Sequence, residues 1–309
     1  MEKATLTPTE NSGHLNALVA LLVEKFSPLQ VYQYAWATQR EQLGSTFLGE
    51  RRQEEEIFYL LLITEGTACI ENEIQQYADS SYKGARAIVH AHAEATLRQN
   101  VANTNYYFCS VLNRGQLLYS ANGLAGPNMV PMPRPERRLK MAKQHWKHRR
   151  AMAMGFLVAA ERSIEEGHES VSVFLLYQVA EQVCIGLIWV FMGYKTDVRN
   201  LRRLLYVCGC FSKEPLRHFM GTAENEELLS LIIKGYVETR HQDGFMLECS
   251  LAYRFLALVE GFLELANGMC QKKFVEMRAA LNQVAEQAAI EVVMETAGQN
   301  HHKEFIPFI

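Results

Sequence analysis

The sequence lacks a dominant charge sign, a long uninterrupted apolar run and any cluster of cysteines, and each shortage closes off a class of protein. Lys and Arg number 31 against 34 Asp and Glu, leaving a net charge of −3. A balance so near zero gives no global pull toward nucleic acid or a membrane surface. The first residues, MEKATLTPTENSGHLN, lack the basic-then-apolar layout of a signal peptide, so a cytoplasmic chain is expected. The apolar run from Val183 to Gly193 is too short to span a bilayer. Cys69, Cys109, Cys184, Cys208, Cys210, Cys249 and Cys270 are scattered, several inside apolar runs. They read as reduced thiols packed as small hydrophobes. Cys208-Gly-Cys210 is the only close pair, and with no second pair at metal spacing no zinc site is expected.

What is present is enough for two domains. The chain has 309 residues, 49% of them hydrophobic and 21% charged, which is globular composition. Val171 to Tyr194 is apolar nearly all round, broken by Ser172, Gln178, Glu181 and Gln182. A helix with no polar face belongs inside a bundle. A charge such as Glu181 at mid-segment argues against a membrane span, since its cost at the bilayer centre is roughly 2.5 kcal/mol or more.

The first 122 residues mix helix and strand signals. Apolar residues at Leu15, Leu18, Val19, Leu22 and Val23 predict a helix over Asn11 to Lys25, with Ser12 as its cap. Leu29 to Ala37 alternates and reads as a strand. Gln39 to Glu56 is polar and reads as a loop. Ile57 to Thr64 reads as a buried central strand. A helix over Glu71 to Tyr82, a strand over Ala87 to Ala91 and a helix over Ala93 to Asn103 are expected to follow. Strands over Tyr106 to Leu112 and Gln116 to Tyr119 complete a small mixed-sheet domain. His90 and His92 share one side of an extended segment; no third metal ligand stands near, so hydrogen-bonded histidines are the plainer expectation.

Residues 123–135 are rich in Gly and Pro and mark a linker. A basic patch follows, with Arg137, Arg138, Lys140, Lys143 and Lys147 its central members and Trp146 among them. It reads as a solvated helix face or a phosphate grip. Residues 136–290 read as helices: Leu139 to Glu166, Glu169 to Gly193, Asp197 to Cys208 capped by Asp197, Lys213 to Met220, Glu224 to Arg240, Gly244 to Asn267 and Gln271 to Glu295. Residues 291–309 form a tail whose Phe305, Ile306, Phe308 and Ile309 could dock on the body or on a second subunit.

Two resemblances emerge from these residues. The order helix, strand, glycine-containing segment, apolar strand, together with NTNYYFCSVLNRGQLLY, resembles the minimal nucleotidyltransferases. The resemblance implies a phosphate-cradling glycine loop and paired carboxylates holding magnesium. Gly44-Ser45 with Gly49 keeps the letters of that loop but lies late, and no Asp-x-Asp occurs. Ile57, Phe58 and Tyr59 stand where ligands would be needed, leaving Glu54 and Glu56 as the only substitutes. The stretch from Ala142 to Phe262, with FLLYQVAE at Phe174 to Glu181 and IIKGYVETRH ending at His241, resembles HEPN domains. Here too letters differ: Tyr177, Arg199 and His241 replace the residues of the family pattern, and Arg240 has no histidine beyond it at ribonuclease spacing.

The resemblances imply an α+β chain: an N-terminal nucleotidyltransferase-like mixed sheet with flanking helices, then a C-terminal all-α HEPN-like helical bundle. They point to Gln178, Glu181, Arg199, Tyr236 and Arg240 as ligand-binding residues, with Glu181 pairing Arg240. The implied function is nucleotide or nucleic-acid binding without catalysis, regulatory or toxin–antitoxin-like in setting, by a homodimer joined through its helices. The rivals are a HEPN-type ribonuclease using His241, a nucleotidyltransferase requiring magnesium at Glu54 and Glu56, and a dimeric interaction scaffold.

Overall fold

The computed structural model describes residues 12–45, 49–66, 70–123, 129–241 and 246–301. The apolar tail, Cys69 and the side chain of Ser12 lie outside them. The fold is α+β: four strands near the N-terminus and ten helices among the described residues.

The sheet is mixed, in the order β3-β2-β1-β4. Strands β1 (Gln30–Ser45) and β2 (Gly49–Thr64) form a long antiparallel hairpin. The polar stretch read as a loop is therefore strand on both arms. Its residues satisfy their backbone groups across the hairpin, which hydropathy alone does not reveal. Strand β3 (Arg86–Ala93) runs parallel to β2, and β4 (Gln116–Ser120) lies antiparallel on the other side of β1.

The two faces of β2 are buried against different partners. Phe58, Leu60 and Leu62 pack under helices α1 (Ser12–Phe26) and α2 (Glu71–Ser81). Ile57, Tyr59, Leu61 and Ile63 belong to the larger core shared with the helical region. Burial on both faces explains the unbroken apolar run. Helix α3 (Glu94–Ala102) matches expectation. Tyr106 to Leu112 does not: it is helix α4 (Tyr106–Arg114), capped by Asn105, whose side chain accepts from the N–H groups of Tyr107 and Phe108. The cap and the burial of Tyr107, Phe108 and Val111 override the strand preference of the aromatics.

Helices α5 (Pro135–Glu165) and α6 (Glu169–Met192) pack side by side. Helix α6 is long and apolar enough to cross a membrane, yet 78% of its most apolar window is buried inside the protein. It stops at Gly193, which adopts φ +67° and donates its N–H to Trp189. Helix α7 (Leu201–Cys208) starts later than predicted. Asn200, not Asp197, caps it, accepting from the Arg203 N–H. Helices α8 (Glu214–Met220) and α9 (Ala223–His241) follow. The last two predicted helices are one continuous helix, α10 (Cys249–His301). The intervening Asn267-Gly268-Met269 is helical and does not stop it. The six cysteines among the described residues are free, and Cys109, Cys184, Cys208 and Cys270 are buried.

Candidate functional site

The sequence-predicted residues of the helical region gather along α6. Close approach of α5 and α6 is set by Gly186, against which Trp146 lies. One turn from there, Arg149 of α5 donates to the Gln182 side chain at 2.6 Å. Glu181 is only 5% exposed, and Arg199 approaches it to 3.8 Å. Burial raises the Glu181 carboxyl, while Arg199 and then Arg149 pull it back. Burial lowers Arg149, and the like charge of Arg199 adds to that. Glu181 is thus ion-paired with Arg199 and only influenced at longer range by Arg149, which is held by Gln182; two guanidiniums beside one carboxylate leave an excess positive charge.

Aromatic rings flank this group. Tyr177 stacks on Tyr236 of α9 at 3.8 Å between centroids, and Phe174 stacks on the same tyrosine at 5.3 Å. The Tyr177 hydroxyl donates to the Arg199 carbonyl at 2.6 Å and accepts from the Leu201 N–H at 3.0 Å. Burial raises this phenol to about 12, so it stays a donor.

The expected Glu181–Arg240 pair is not formed. Arg240 is exposed and donates to the Tyr236 hydroxyl at 3.3 Å, one turn away on its own helix. Arg199 takes the place at Glu181 because it precedes α7 and enters beside α6. His241 is exposed at the end of α9, and Gln178 is half-buried. The residues that sequence reasoning left out of the site are Arg149 and His145. They stand four apart on α5. His145 stacks on Trp189 at 4.8 Å, and its Nε2 is buried without a hydrogen-bond partner among the described residues. Burial, Arg149 and His148 lower its pKa to about 4. The helical spacing of His145 and Arg149 was readable; their partners on α6 were not.

The basic patch divides. Arg137, Lys140 and Lys147 are exposed on α5. Arg138 instead lies over the Tyr106 ring at 3.1 Å and donates to the Phe191 carbonyl, and Lys143 lies over Phe274 at 5.8 Å.

On the sheet, the glycine letters lie far along the hairpin from Glu56. Gly44 and Ser45 pair with Glu50 and Gly49 at the far end of the hairpin. That is seven residues beyond the Ala37–Ile57 pair, roughly 24 Å along the strand. Glu56 is 8% exposed and, by alternation, lies on the face of Phe58, opposite Ile57 and Tyr59. The side chain of Glu54 lies outside the described residues. Among the described residues no group of three or more His, Cys, Asp or Glu has metal-binding geometry.

His90 and His92 are built into the junction between sheet and helices. His90 is fully buried; its Nδ1 is 2.8 Å from the Tyr107 hydroxyl, and its ring stacks on Tyr194 at 4.1 Å. His92 Nε2 shares a hydrogen bond with the Tyr194 hydroxyl at 2.9 Å. Beside them Arg203 of α7 pairs with Glu71 of α2 at 2.9 Å and donates to the Asn72 side chain and the Val89 carbonyl.

No protein-family model matches the chain, and no curated protein matches it at a significant level. Solved structures similar to it include an archaeal HEPN homologue, at 18% identity and a TM-score of 0.27, covering 45% of this chain and 99% of that one. Another is a nucleotidyltransferase-like protein from Exiguobacterium sibiricum 255-15, at 12% identity and a TM-score of 0.27, covering 83% of this chain and 78% of that one.

Proposed function

We propose that the chain binds a nucleotide or a nucleic-acid phosphate without catalysis, through the side chains of Arg149, Glu181, Gln182, Arg199, Tyr236 and Arg240. The observation that supports this reading is the gathering of Arg149 and Arg199 at the single Glu181 carboxylate, with Arg199 its ion-pair partner and Arg149 held by the neighbouring Gln182. A guanidinium only half neutralised can hold a phosphate bidentately. Of the stacked rings, Tyr177 is buried, while Tyr236 and Phe174 are half-buried, and a base stacked on such a ring adds about 1–3 kcal/mol. A regulatory or toxin–antitoxin-like setting, and a homodimer with a domain division near residues 123–135, belong to the same proposal.

The test is a thermal-shift titration with ATP, GTP and a short RNA, with and without magnesium. A ligand that binds only the folded state raises the melting temperature with its concentration. A shift is expected with at least one of the three, without magnesium, weakened by added salt and by Arg199→Ala and Arg240→Ala. No shift with any of them defeats the reading. One observation favours a second reading: the unpaired Nε2 of His145 beside Arg149 is the kind of pair that moves a proton at a phosphate. RNA cleavage abolished by His145→Ala would replace binding with hydrolysis.

A further inference from the structure

A cleft lies between the inner face of the sheet and α8. It is lined by Ala37 and Thr38 of β1, Ile57 and Tyr59 of β2, and Gly209, Lys213, Leu216, Arg217, Met220 and Gly221, with a volume near 340 Å³. It shares no residue with the Arg149, Glu181 and Arg199 cluster. We propose that this cleft binds a small organic anion, an apolar body carrying one phosphate or carboxylate, without a metal ion.

The walls are apolar at Ala37, Ile57, Leu216 and Met220, and the charged groups of the lining are both cations. Lys213 is tied across from β1, its Nζ donating to the Thr38 carbonyl at 2.8 Å. Arg217 reaches Glu214 at 3.5 Å, but both side chains are more than half exposed. Such a pair holds weakly, so Arg217 is free to turn to a stronger anion. With two cations and no carboxylate among the described residues of the lining, the cleft attracts an anion and repels a divalent cation. Its volume lies in the range of small-ligand sites, roughly 300–1,000 Å³, and its composition follows their pattern of apolar walls with a few polar groups.

Tyr59 supplies an independent sign. It is fully buried, and its hydroxyl has no hydrogen-bond partner among the described residues. Such orphans are rare in folded proteins. Gly209 lies against it: a Cβ there would stand 2.5 Å from the hydroxyl oxygen and 2.9 Å from Leu216 Cδ1. Burial raises this phenol far above its ordinary value, so it remains a proton donor at neutral pH. An anion drawn in by Lys213 and Arg217 would give that donor an acceptor.

The experiment is calorimetric titration of the full chain in EDTA with adenosine 5′-monophosphate and with indole-3-acetate. Adenosine and inorganic phosphate, each carrying half of the required chemistry, serve as controls. At least one of the two organic anions is expected to bind, at least tenfold more tightly than either control, and which one binds separates phosphate from carboxylate. The Lys213→Ala/Arg217→Ala double variant should lose at least tenfold in affinity. Tyr59→Phe should lose several-fold while keeping or raising the melting temperature, which separates ligation from a structural role. Binding by neither anion, a requirement for magnesium, or equal affinity in the double variant overturns the proposal. Loss of binding in Arg199→Ala alone would move the ligand to the Arg199 cluster beside α6, overturning this inference while supporting the reading above.

Discussion

A methyl group on Gly186 would stand 2.8 Å from Trp146 Cε3, 2.9 Å from Cζ3 and 3.3 Å from Arg149 Cβ. Alanine is the better helix former by about 1 kcal/mol, so on propensity alone Gly186→Ala would stabilise α6. The opposing effect is overpacking, which costs about 1–3 kcal/mol. The obstacle is a tryptophan ring only 3% exposed, not the mobile end of a long side chain, so the clash wins. Gly186→Ala is expected to lower the unfolding free energy by about 1 kcal/mol in urea titration, and to weaken ligand binding by shifting Arg149. A gain in stability would show that the helix pair relaxes freely. The glycine was visible in the sequence, but the tryptophan that needs the space is 40 positions earlier. Tyr177 teaches the same lesson. Its place in the HEPN-like pattern was legible, whereas its service as a strut between α6 and the start of α7 depends on Leu201 and Arg199, which only the fold brings near.

At the scale of elements, β3 is an edge strand of the sheet, and its outward backbone groups are covered by side chains. Gln75 of α2 donates to the Ala87 carbonyl at 2.7 Å and accepts from the Val89 N–H at 2.9 Å. Glu71 accepts from the Ala91 N–H, and Arg203 donates to the Val89 carbonyl. An uncovered edge invites pairing with other chains. Gln75→Leu preserves bulk but orphans two buried backbone groups at about 1–3 kcal/mol each. A loss of roughly 2–4 kcal/mol is expected by urea unfolding, with greater aggregation on heating; a loss below 1 kcal/mol would mean that water reaches this edge. None of this was legible, because Gln75 reads as one more polar position on an amphipathic helix. The elements whose patterns were legible, α1, α2, β3, α6 and the Ile57 to Thr64 run, are those whose apolar residues either keep one helical stripe or run unbroken through a core. The elements misjudged were the polar hairpin arms, held by cross-strand bonds, and α4, where one asparagine cap and a buried face outweigh aromatic β-preference.

At the scale of the whole molecule, sheet and helices share one core, and the seam carries buried histidines rather than a dry apolar contact. His92 titrates at about 4 because burial disfavours its cation, His145 in the helical region likewise, and His90 is lowered in the same direction. An unfolded histidine titrates near 6.5. Above that value both states are neutral and stability does not change on this account. As pH falls below about 6.5 the unfolded chain takes up protons that the folded chain refuses until about 4, so stability falls across that window. Each such histidine contributes a slope of about 1.4 kcal/mol per pH unit, hence roughly 2 kcal/mol between pH 6.5 and pH 5. Glu71 and Glu181 act in the opposite sense, since burial raises both and acidification relieves them. The expected outcome is an unfolding free energy that is level from pH 8 to 7 and drops by several kcal/mol toward pH 5. The His92→Gln/His145→Gln double variant should lose more than half of that slope whatever its stability at pH 7.5. A wild-type curve flat from pH 7 to pH 5 would mean that these rings meet water and protonate in place, and that the seam between sheet and helices opens well before the protein unfolds.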